Sequence, residues 1–246
     1  MKKIYVVIGA SGLIGSHIIQ RLRETEVEFF SIDKQSSKDL SYVSDLSSLD
    51  EVVAIITKYM ADDYAVSLIY AAGKNGSVEK GALDNLFNFD KDDFQEYIQQ
   101  NVLIPYDLFL RLIAEAKKYS TILRLWLLCS HYSLIGANDS IYNEEFGPIV
   151  KIKPHGYIIS KHAAVGVVKS LASTYGDEKI TINGFIPGGV KNNQDNKFLD
   201  KYKKYAPLGY MCPPEEMAKW IVCVANPELS YANGALFTVD GGVTAW

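Results

Sequence analysis

The chain has 246 residues, with 48% hydrophobic and 22% charged content, which is typical of a soluble globular protein with a large core. Its net charge of −4 excludes the basic field that nucleic-acid binding requires, and no nucleic-acid partner is expected. The first apolar run ends at Gly9, too short for a signal peptide or a membrane span. That short run leads us to expect no membrane association. The three cysteines lack metal-ligand spacing and form no even disulfide set, so we expect no metal site and a cytoplasmic location.

A strand and a glycine-rich turn begin the chain. Residues 4–8 form an apolar, β-branched run that predicts a strand buried on both faces, as in a parallel sheet. Gly9 permits a tight turn, Gly12 lets backbone approach a pyrophosphate, and Gly15 allows close packing of the following helix. The spacing is G-x-x-G-x-x-G rather than G-x-G-x-x-G, so a plain strand-to-helix turn is the alternative. The predicted dinucleotide-binding turn comprises Gly9, Ser11, Gly12, Leu13, Ile14 and Gly15.

The second predicted strand, residues 27–33, ends in an acid. Asp33 lies 18 residues after Gly15, close to where a carboxylate binds the ribose 2′-hydroxyl of NAD. The same charge would repel the 2′-phosphate of NADP, so we expect NAD(H) to be preferred. Lys34 follows directly and keeps NADP(H) possible, and a solvated carboxylate is the alternative for Asp33.

A short crossover follows at residues 34–40, and a third strand ends at Asp45-Leu46. Ser48 and Glu51 fit a capping box that opens a helix extending to about Met60. The fourth strand, residues 66–70, is stopped by small residues. These allow either a cofactor to approach or a helix to pack closely. They are Ala71, Ala72 and Gly73.

Residues 74–89 predict a loop with a short helix, and a long helix is expected from about 94 to 118. Pro105 should kink this helix, which would displace the backbone carbonyl of Asn101 four residues earlier. The fifth strand, residues 123–129, is closed by Ser130.

Residues 131–156 predict an active-site loop, and a helix follows from Tyr157 to Tyr175. The four-residue spacing of Tyr157 and Lys161 places both side chains on one helix face. A nearby ammonium favours the phenolate and lowers the phenol pKa, so the pair suits proton transfer to or from an alcohol or carbonyl oxygen. Taken alone, the pair also fits an ordinary half-exposed helix.

The sixth strand, residues 180–186, ends in Pro187-Gly188-Gly189, and the long polar segment 190–212 predicts an irregular substrate lid. Proline and acids at 213–216 begin another helix, and residues 235–239 form the last strand. The alternation predicts an α/β fold with a Rossmann-type, doubly wound parallel sheet of about seven strands and helices on both faces. No composition break divides residues 1–246, so a single domain is expected.

The motifs together resemble the short-chain dehydrogenase/reductase family, single-domain type, over essentially the whole chain. The order of the motifs and nearly their spacing match that family. The matching positions are the turn Gly9–Gly15, Asp33, Asp45-Leu46, Ala71-Ala72-Gly73, Asn101, Ser130, Tyr157 with Lys161, Pro187-Gly188 and Asp240-Gly241-Gly242.

The resemblance implies an NAD(P)(H)-dependent oxidoreductase that interconverts a secondary alcohol and a ketone. Ser130 would hold the substrate oxygen and Tyr157 would act as general acid or base. Lys161 would bind the nicotinamide ribose and lower the Tyr157 pKa, and Asn101 would hold a water linking Lys161 to solvent. The implied cofactor contacts are Asp45 and Leu46 at the adenine and Pro187, Gly188 and Val190 at the nicotinamide.

Some features depart from the family pattern or narrow it. The glycine spacing looks like the longer sugar-nucleotide branch, the crossover after Asp33 is short, and Tyr70-Ala71 replaces the usual Asn-Asn. Pro154 and His162-Ala163 around the tyrosine are loosely similar to members from surface-polysaccharide and flagellin-glycan gene clusters, which implies a sugar or nucleotide-sugar substrate. Polyol or phosphate recognition and simple solvation are equally open for His131, Tyr132, His155 and the lysines and asparagines of 190–212.

Two other functions are consistent with the sequence. One is a non-catalytic dinucleotide-binding regulator, which would need neither Ser130 nor Asn101. The other is a reductase of a pterin-like ring. If the protein is an enzyme, whether the oxidoreductase or the ring reductase, its partner is a small-molecule substrate. The apolar outer residues of helices 94–118 and 157–175 also predict a homo-oligomer, a tetramer or dimer.

Overall fold

The computed structural model describes residues 2–35, 40–76, 79–80, 90–143 and 151–245. Residues 36–39 of the predicted 34–40 crossover lie outside these ranges. Most of the predicted 74–89 loop and residues 144–150 of the predicted 131–156 loop lie outside them as well. The described residues form a seven-stranded parallel sheet in the order β3-β2-β1-β4-β6-β8-β9, and two short strands, β5 and β7, pair antiparallel. The strands are β1 (Lys2–Ile8), β2 (Phe29–Asp33), β3 (Tyr42–Val43), β4 (Tyr64–Tyr70), β5 (Glu79–Lys80), β6 (Leu123–Leu128), β7 (Lys151–Ile152), β8 (Ile180–Pro187) and β9 (Leu236–Val239).

Helices cover both faces of the sheet, which confirms the predicted doubly wound architecture. They are α1 (Leu13–Glu24), α2 (Asp50–Ala61), α3 (Lys91–Ile98), α4 (Ile104–Tyr119), α5 (His155–Tyr175), α6 (Asn196–Tyr205) and α7 (Pro214–Val224). Alternate residues of β1 face opposite layers: Val7 packs with α1 and α7, whereas Val6 packs with α2, α4 and α5. No helix in the described ranges combines the length and apolarity needed to cross a membrane.

The third strand is shorter than predicted. Only Tyr42 and Val43 pair with β2, opposite Ile32 and Asp33. Leu46 has φ +62, a left-handed conformation that takes the backbone out of the strand region. The predicted capping box after this strand is also wrong, because α2 has Leu49 at its N-cap and no side-chain cap bond.

The predicted long helix is interrupted before its proline. A π-helical segment at Gln99–Leu103 separates α3 from α4, and the Ile104 N–H donates to the Gln99 carbonyl. Pro105 therefore lies in the first turn of α4, where its missing N–H is tolerated. The irregularity falls at Asn101, where the sequence predicts a disturbed backbone.

The predicted irregular lid at 190–212 contains a helix, α6, so that part of the prediction is wrong. Asp195 caps the helix by accepting a hydrogen bond from the Phe198 N–H at 2.8 Å. Phe198 and Tyr202 are four apart and pack on one face, and Tyr202 is buried. The lysine-rich and asparagine-rich composition obscured this aromatic spacing.

Candidate active site

One large cavity opens at the carboxyl ends of β1, β4, β6 and β8, where ligands bind in open α/β sheets. Its volume is about 980 Å³, large enough for a dinucleotide and a small substrate together. The predicted residues that line it are Gly12, Leu13, Ile14, Gly15, Ala71, Ala72, Gly73, Ser130, Tyr157, Lys161, Pro187, Gly188 and Val190. Among the described residues, no group of three or more His, Cys, Asp or Glu side chains is placed to hold a metal ion.

The glycine turn brings bare backbone segments into contact. Gly9 has φ +86, and a Cβ there would lie 2.4 Å from the Ala72 nitrogen. A Cβ at Gly15 would lie 2.0 Å from the Gly9 carbonyl oxygen, so α1 packs directly on the end of β1. Helix α1 has no acid in its first turn, which leaves its N-terminal N–H groups and partial positive charge available to an anion. These features fit the pyrophosphate of a dinucleotide.

Asp33 is tied to the glycine turn. Its Oδ2 accepts a hydrogen bond from the Ser11 N–H at 2.8 Å, and its Oδ1 accepts one from the Gln35 N–H at 3.2 Å. The carboxylate is half-exposed and retains acceptor capacity, because each oxygen has two lone pairs. The structure therefore places the predicted ribose-binding acid beside the predicted phosphate-binding turn.

Asp45 and Leu46 lie after β3 and do not belong to the described lining of the cavity. Asp45 is exposed, and its Oδ1 accepts a hydrogen bond from the Ser47 N–H at 2.9 Å. Hydrogen bonds from Ser47 lower the pKa of the Asp45 carboxyl. Leu46 is buried, in the left-handed conformation described above.

The Asn101 carboxamide holds the segment after β4. Its Oδ1 accepts from the Lys74 N–H at 2.9 Å, and its Nδ2 donates to the Lys74 carbonyl at 3.1 Å and to the Ser160 hydroxyl at 2.9 Å. Gly73 packs so closely that a Cβ there would lie 2.4 Å from Asn101 Oδ1. Pro105 has no N–H to donate to the Asn101 carbonyl four residues earlier. Ser160 was not predicted, since nothing in the sequence distinguishes it from other helix serines.

Ser130, Tyr157 and Lys161 meet at the inner end of the cavity. All three are buried, and the Ser130 side chain lies close enough to Tyr157 to lower the pKa of the phenol. The Ser130 hydroxyl also accepts from the Tyr132 N–H at 3.2 Å, which fixes it at the start of a short 3₁₀ turn. The Lys161 ammonium donates to the Leu128 carbonyl at 2.9 Å and lies 5.9 Å from the centre of the Tyr157 ring.

The electrostatics of Tyr157 differ from the sequence-based expectation. Burial raises its pKa to about 12, and the nearby Ser130 side chain acts in the opposite direction. Burial also lowers the pKa of Lys161, whose ammonium is bound to a backbone carbonyl rather than to the phenol. The expected lowering of the tyrosine pKa by Lys161 is therefore absent in this arrangement, and Tyr157 is a neutral phenol at pH 7.

Lys153 is a residue at this site that the sequence did not single out. Its ammonium lies 4.5 Å from the centre of the Tyr157 ring. It donates to Asn75 Oδ1 at 2.9 Å and to the Gly76 carbonyl at 2.8 Å. The available signal was the Lys-x-Lys pattern at 151 and 153, whose period of two places both lysines on one side of an extended segment.

The two loop histidines have different positions. His131 is buried beside Ser130 with its ring centre 4.1 Å from that of Tyr132, and both residues line the cavity. Burial lowers the pKa of His131 to about 4, so it is neutral at pH 7 and poorly suited to supply a proton. His155 is exposed at the start of α5 and is absent from the described lining.

The outer wall of the cavity combines the end of β8 with α6. The Gly188 N–H donates to the Val239 carbonyl at 2.9 Å, and the Gly189 N–H donates to the Tyr202 hydroxyl at 2.8 Å. Val190 pairs with Cys212 in an isolated parallel bridge. The residues after Pro187 are thus held between the sheet and the helix of the predicted lid.

Comparison with known proteins places these features in context. A family model described as enoyl-(acyl carrier protein) reductase matches residues 147–244. The 2,5-dichloro-2,5-cyclohexadiene-1,4-diol dehydrogenase of Sphingobium indicum is 29% identical over 132 residues, covering 48% of this chain and 53% of that protein. This chain therefore matches about half the length of that relative.

Solved structures match over almost the whole chain. A short-chain dehydrogenase from Leptospira borgpetersenii with bound NAD+ has a TM-score of 0.79 at 22% identity, covering 99% of this chain and 93% of that one. The structure of ElxO with NADP bound has a TM-score of 0.77 at 21% identity and covers 100% of both chains. At these identities the likeness shows a shared fold.

Proposed function

We propose that this chain is a member of the short-chain dehydrogenase/reductase family and an NAD(P)(H)-dependent oxidoreductase that interconverts a secondary alcohol and a ketone, as its motifs, fold and relatives support. The observation that carries the proposal is the pair of buried hydroxyl side chains of Ser130 and Tyr157, which line the same cavity as Lys161 and the glycine turn. A binding protein without catalytic function would need the turn but would gain nothing from this buried hydroxyl pair.

The residues around Tyr157 fit an acid at the reacting oxygen. A bound nicotinamide would supply the hydride chemistry. Tyr157 is protonated at neutral pH, the state that donates a proton to a carbonyl oxygen, and the neighbouring Ser130 would hydrogen-bond the same oxygen. The reverse reaction needs the phenolate, which burial of Tyr157 disfavours.

For the cofactor we propose a preference for NAD(H). The Asp33 carboxylate, bound to the Ser11 N–H, would accept a ribose hydroxyl and repel a 2′-phosphate. The two structures named above contain NAD+ and NADP respectively, which agrees with a nicotinamide dinucleotide in general. Asp45 and Leu46, together with the segment Pro187–Val190, are proposed to contact the adenine and the nicotinamide ends.

For the substrate we propose a polyhydroxylated molecule such as a sugar or nucleotide sugar, enclosed by α6 as a lid. The lid side of the cavity offers amide side chains at Asn192, Asn193 and Gln194. The relative from Sphingobium indicum is named for a cyclic 1,4-diol, which also carries more than one hydroxyl group. The three cysteines are free, which supports the proposal of a reducing, cytoplasmic location.

Turnover tests the proposal directly. Purified protein should oxidise NADH or reduce NAD+ with members of a panel of ketoses, keto sugars and nucleotide sugars, followed by absorbance of the nicotinamide. Tyr157→Phe, which keeps the ring, should bind NADH but lose this activity. Tight NADH binding without turnover on the whole panel would favour the non-catalytic regulator, and turnover limited to quinonoid pterins would favour the ring reductase.

A further inference from the structure

The cavity has an unequal charge distribution. Of the described residues that line it, the lysines outnumber the single acid, Asp195, which caps α6. Lys74 is neutralised by ion pairs with Asp93 and Glu96, and Lys161 belongs to the site around Tyr157. The other lining lysines are Lys151, Lys153, Lys197 and Lys201. They lie on β7, just after it, and on α6, which is the substrate side rather than the glycine-turn side.

Lys153 is the best defined of these cations. It is half-buried, and the acceptors that its ammonium contacts among the described residues are the neutral oxygens of Asn75 and Gly76. Neutral oxygens stabilise an ammonium less than a carboxylate or phosphate does. Burial accordingly lowers the pKa of Lys153 to about 8. The cation is therefore held at a desolvated position that an anion would stabilise.

We propose that the substrate side of this cavity binds an anionic group of the substrate, a phosphate or a carboxylate, with Lys153 as its principal cation. Lys151 and Lys201 complete the positive wall. The anion lies near the reacting carbon, because the Lys153 ammonium is 4.5 Å from the Tyr157 ring centre. This inference rests on the proposed function for the identity of the reacting end, and it adds the class of substrate.

The same contacts predict discrimination against neutral substrates. A substrate without the anion would further shield Lys153 from water and leave its charge without a counterion, which is costly in a buried site. Selectivity of this kind arises when a site's own polar groups remain unpaired with the wrong ligand. Lys153 is accordingly a specificity residue, in addition to its hydrogen bonds with the loop at Asn75 and Gly76.

Calorimetry on the NADH-saturated protein tests the anion site, with the cofactor present so that its own phosphate positions are filled. Inorganic phosphate and succinate are titrated separately, and the tighter of the two identifies the kind of anion. Lys153→Met should weaken binding of the preferred anion about 10- to 100-fold, the range for a lost hydrogen bond to a charged group. Lys153→Arg should restore most of it.

The matched control is Lys219→Met, which removes a lysine from the exposed face of α7, outside the described cavity lining. It should leave anion affinity unchanged. The inference is overturned if wild-type protein binds neither anion, or if Lys153→Met binds both as tightly as wild type. NADH affinity of each variant, measured by fluorescence, verifies folding, and Lys153→Gln replaces the methionine variant if that variant fails to bind NADH.

Kinetics separates this inference from the proposed function. For a substrate and its dephosphorylated or decarboxylated counterpart, Lys153→Met should lower the ratio of their kcat/KM values at least 10-fold, and Lys219→Met should not change it. An unchanged ratio with active enzyme overturns the anion site alone. Anion binding that depends on Lys153, in a protein without turnover on the full panel, overturns the proposed oxidoreductase and leaves the anion site standing.

Discussion

Gly15 packs directly against the carbonyl oxygen of Gly9, so closely that a Cβ at residue 15 would lie 2.0 Å from that oxygen. This contact joins the first turn of α1 to the end of β1. The two backbones must separate to accept even a methyl group, and the separation would move the N–H groups that face the predicted pyrophosphate position.

We therefore expect Gly15→Ala to lower the free energy of unfolding by about 1–3 kcal/mol, the usual cost of overpacking, and to weaken NADH binding strongly. Thermal unfolding and NADH fluorescence titration measure the two effects. Gly166→Ala is the matched control, because a Cβ at residue 166 meets nothing within 4 Å and alanine favours the helix. If Gly15→Ala bound NADH as wild type does, the turn would not be the phosphate site.

The second prediction concerns cofactor choice. Asp33→Ala removes the charge that would repel a 2′-phosphate, so the ratio of NADPH to NADH dissociation constants should fall about tenfold or more. Asp33→Asn is the matched control for shape, since its amide keeps an acceptor for the Ser11 N–H. Calorimetry with both cofactors measures the ratio, and a wild-type protein that binds NADPH more tightly would contradict the preference.

The sheet and its helices were largely predictable because buried parallel strands are apolar runs that stop at glycine or serine. β1, β4, β6 and β8 were all located this way, and the strand order follows the doubly wound pattern. The end of β3 was not located, because nothing about a leucine residue indicates the left-handed conformation that Leu46 adopts. Helix α6 was missed for a different reason, since its polar composition outweighed the spacing of Phe198 and Tyr202.

The candidate site was predictable where one element carries the spacing, as with Tyr157 and Lys161 on α5. The contact between Lys153 and Tyr157 was not, because it depends on where Asn75 and Gly76 place the lysine. These residues are far apart in the chain, and only the fold brings them together. The raised pKa of Tyr157 could not be predicted for the same reason, since the burial that raises it is a property of the packed structure.

The third prediction concerns assembly, which we expect to be homo-oligomeric. Exposed apolar side chains occur on the outer surfaces of α4 and α5, where Tyr106 is 40% exposed and Ile159 is 48% exposed. The double variant Tyr106→Glu with Ile159→Glu should lower the mass measured by light scattering at micromolar concentration. Val43→Glu, at an equally exposed apolar position on β3, should not. A monomeric wild-type protein would remove this expectation.

The fourth prediction follows from the titration of Lys153. Its folded pKa of about 8 lies below its unfolded value near 10.4, so between these pH values the unfolded chain binds more protons than the folded one. Stability contributed by this group therefore rises with pH across that window and is lowest below pH 8. Relative to Lys153→Met, wild-type protein should gain on the order of 1 kcal/mol between pH 7.5 and 10.5.

Denaturant unfolding of both proteins at several pH values measures this difference, and titrations common to the two proteins cancel. Tyr157, which faces Lys153, remains mostly protonated in the folded protein over this range. A stability difference that stays constant with pH would mean that the pKa of Lys153 is near its ordinary value. The interpretation of Lys153 as a desolvated cation would then be wrong.

The last prediction concerns the proton. Ser130 is too weak an acid to protonate the oxygen that gains a hydride, and burial keeps His131 neutral, with a pKa of about 4. Tyr157 has the acidic proton, lies beside Ser130 and lines the cavity. Tyr157→Phe should therefore nearly abolish turnover in both directions with little change in NADH affinity.

Ser130→Ala should lower kcat about 10²–10³-fold, as expected for a lost donor at the reacting oxygen. The pH dependence of the two reaction rates is a second, independent test of Tyr157 as the proton donor. Carbonyl reduction uses the phenol and should slow as pH rises through the Tyr157 pKa, whereas alcohol oxidation uses the phenolate and should accelerate. If Tyr157→Phe kept a tenth of the wild-type rate with the same pH profile, the proton would come from another group. Lys153, whose pKa of about 8 leaves it able to donate, would then be the first residue to replace.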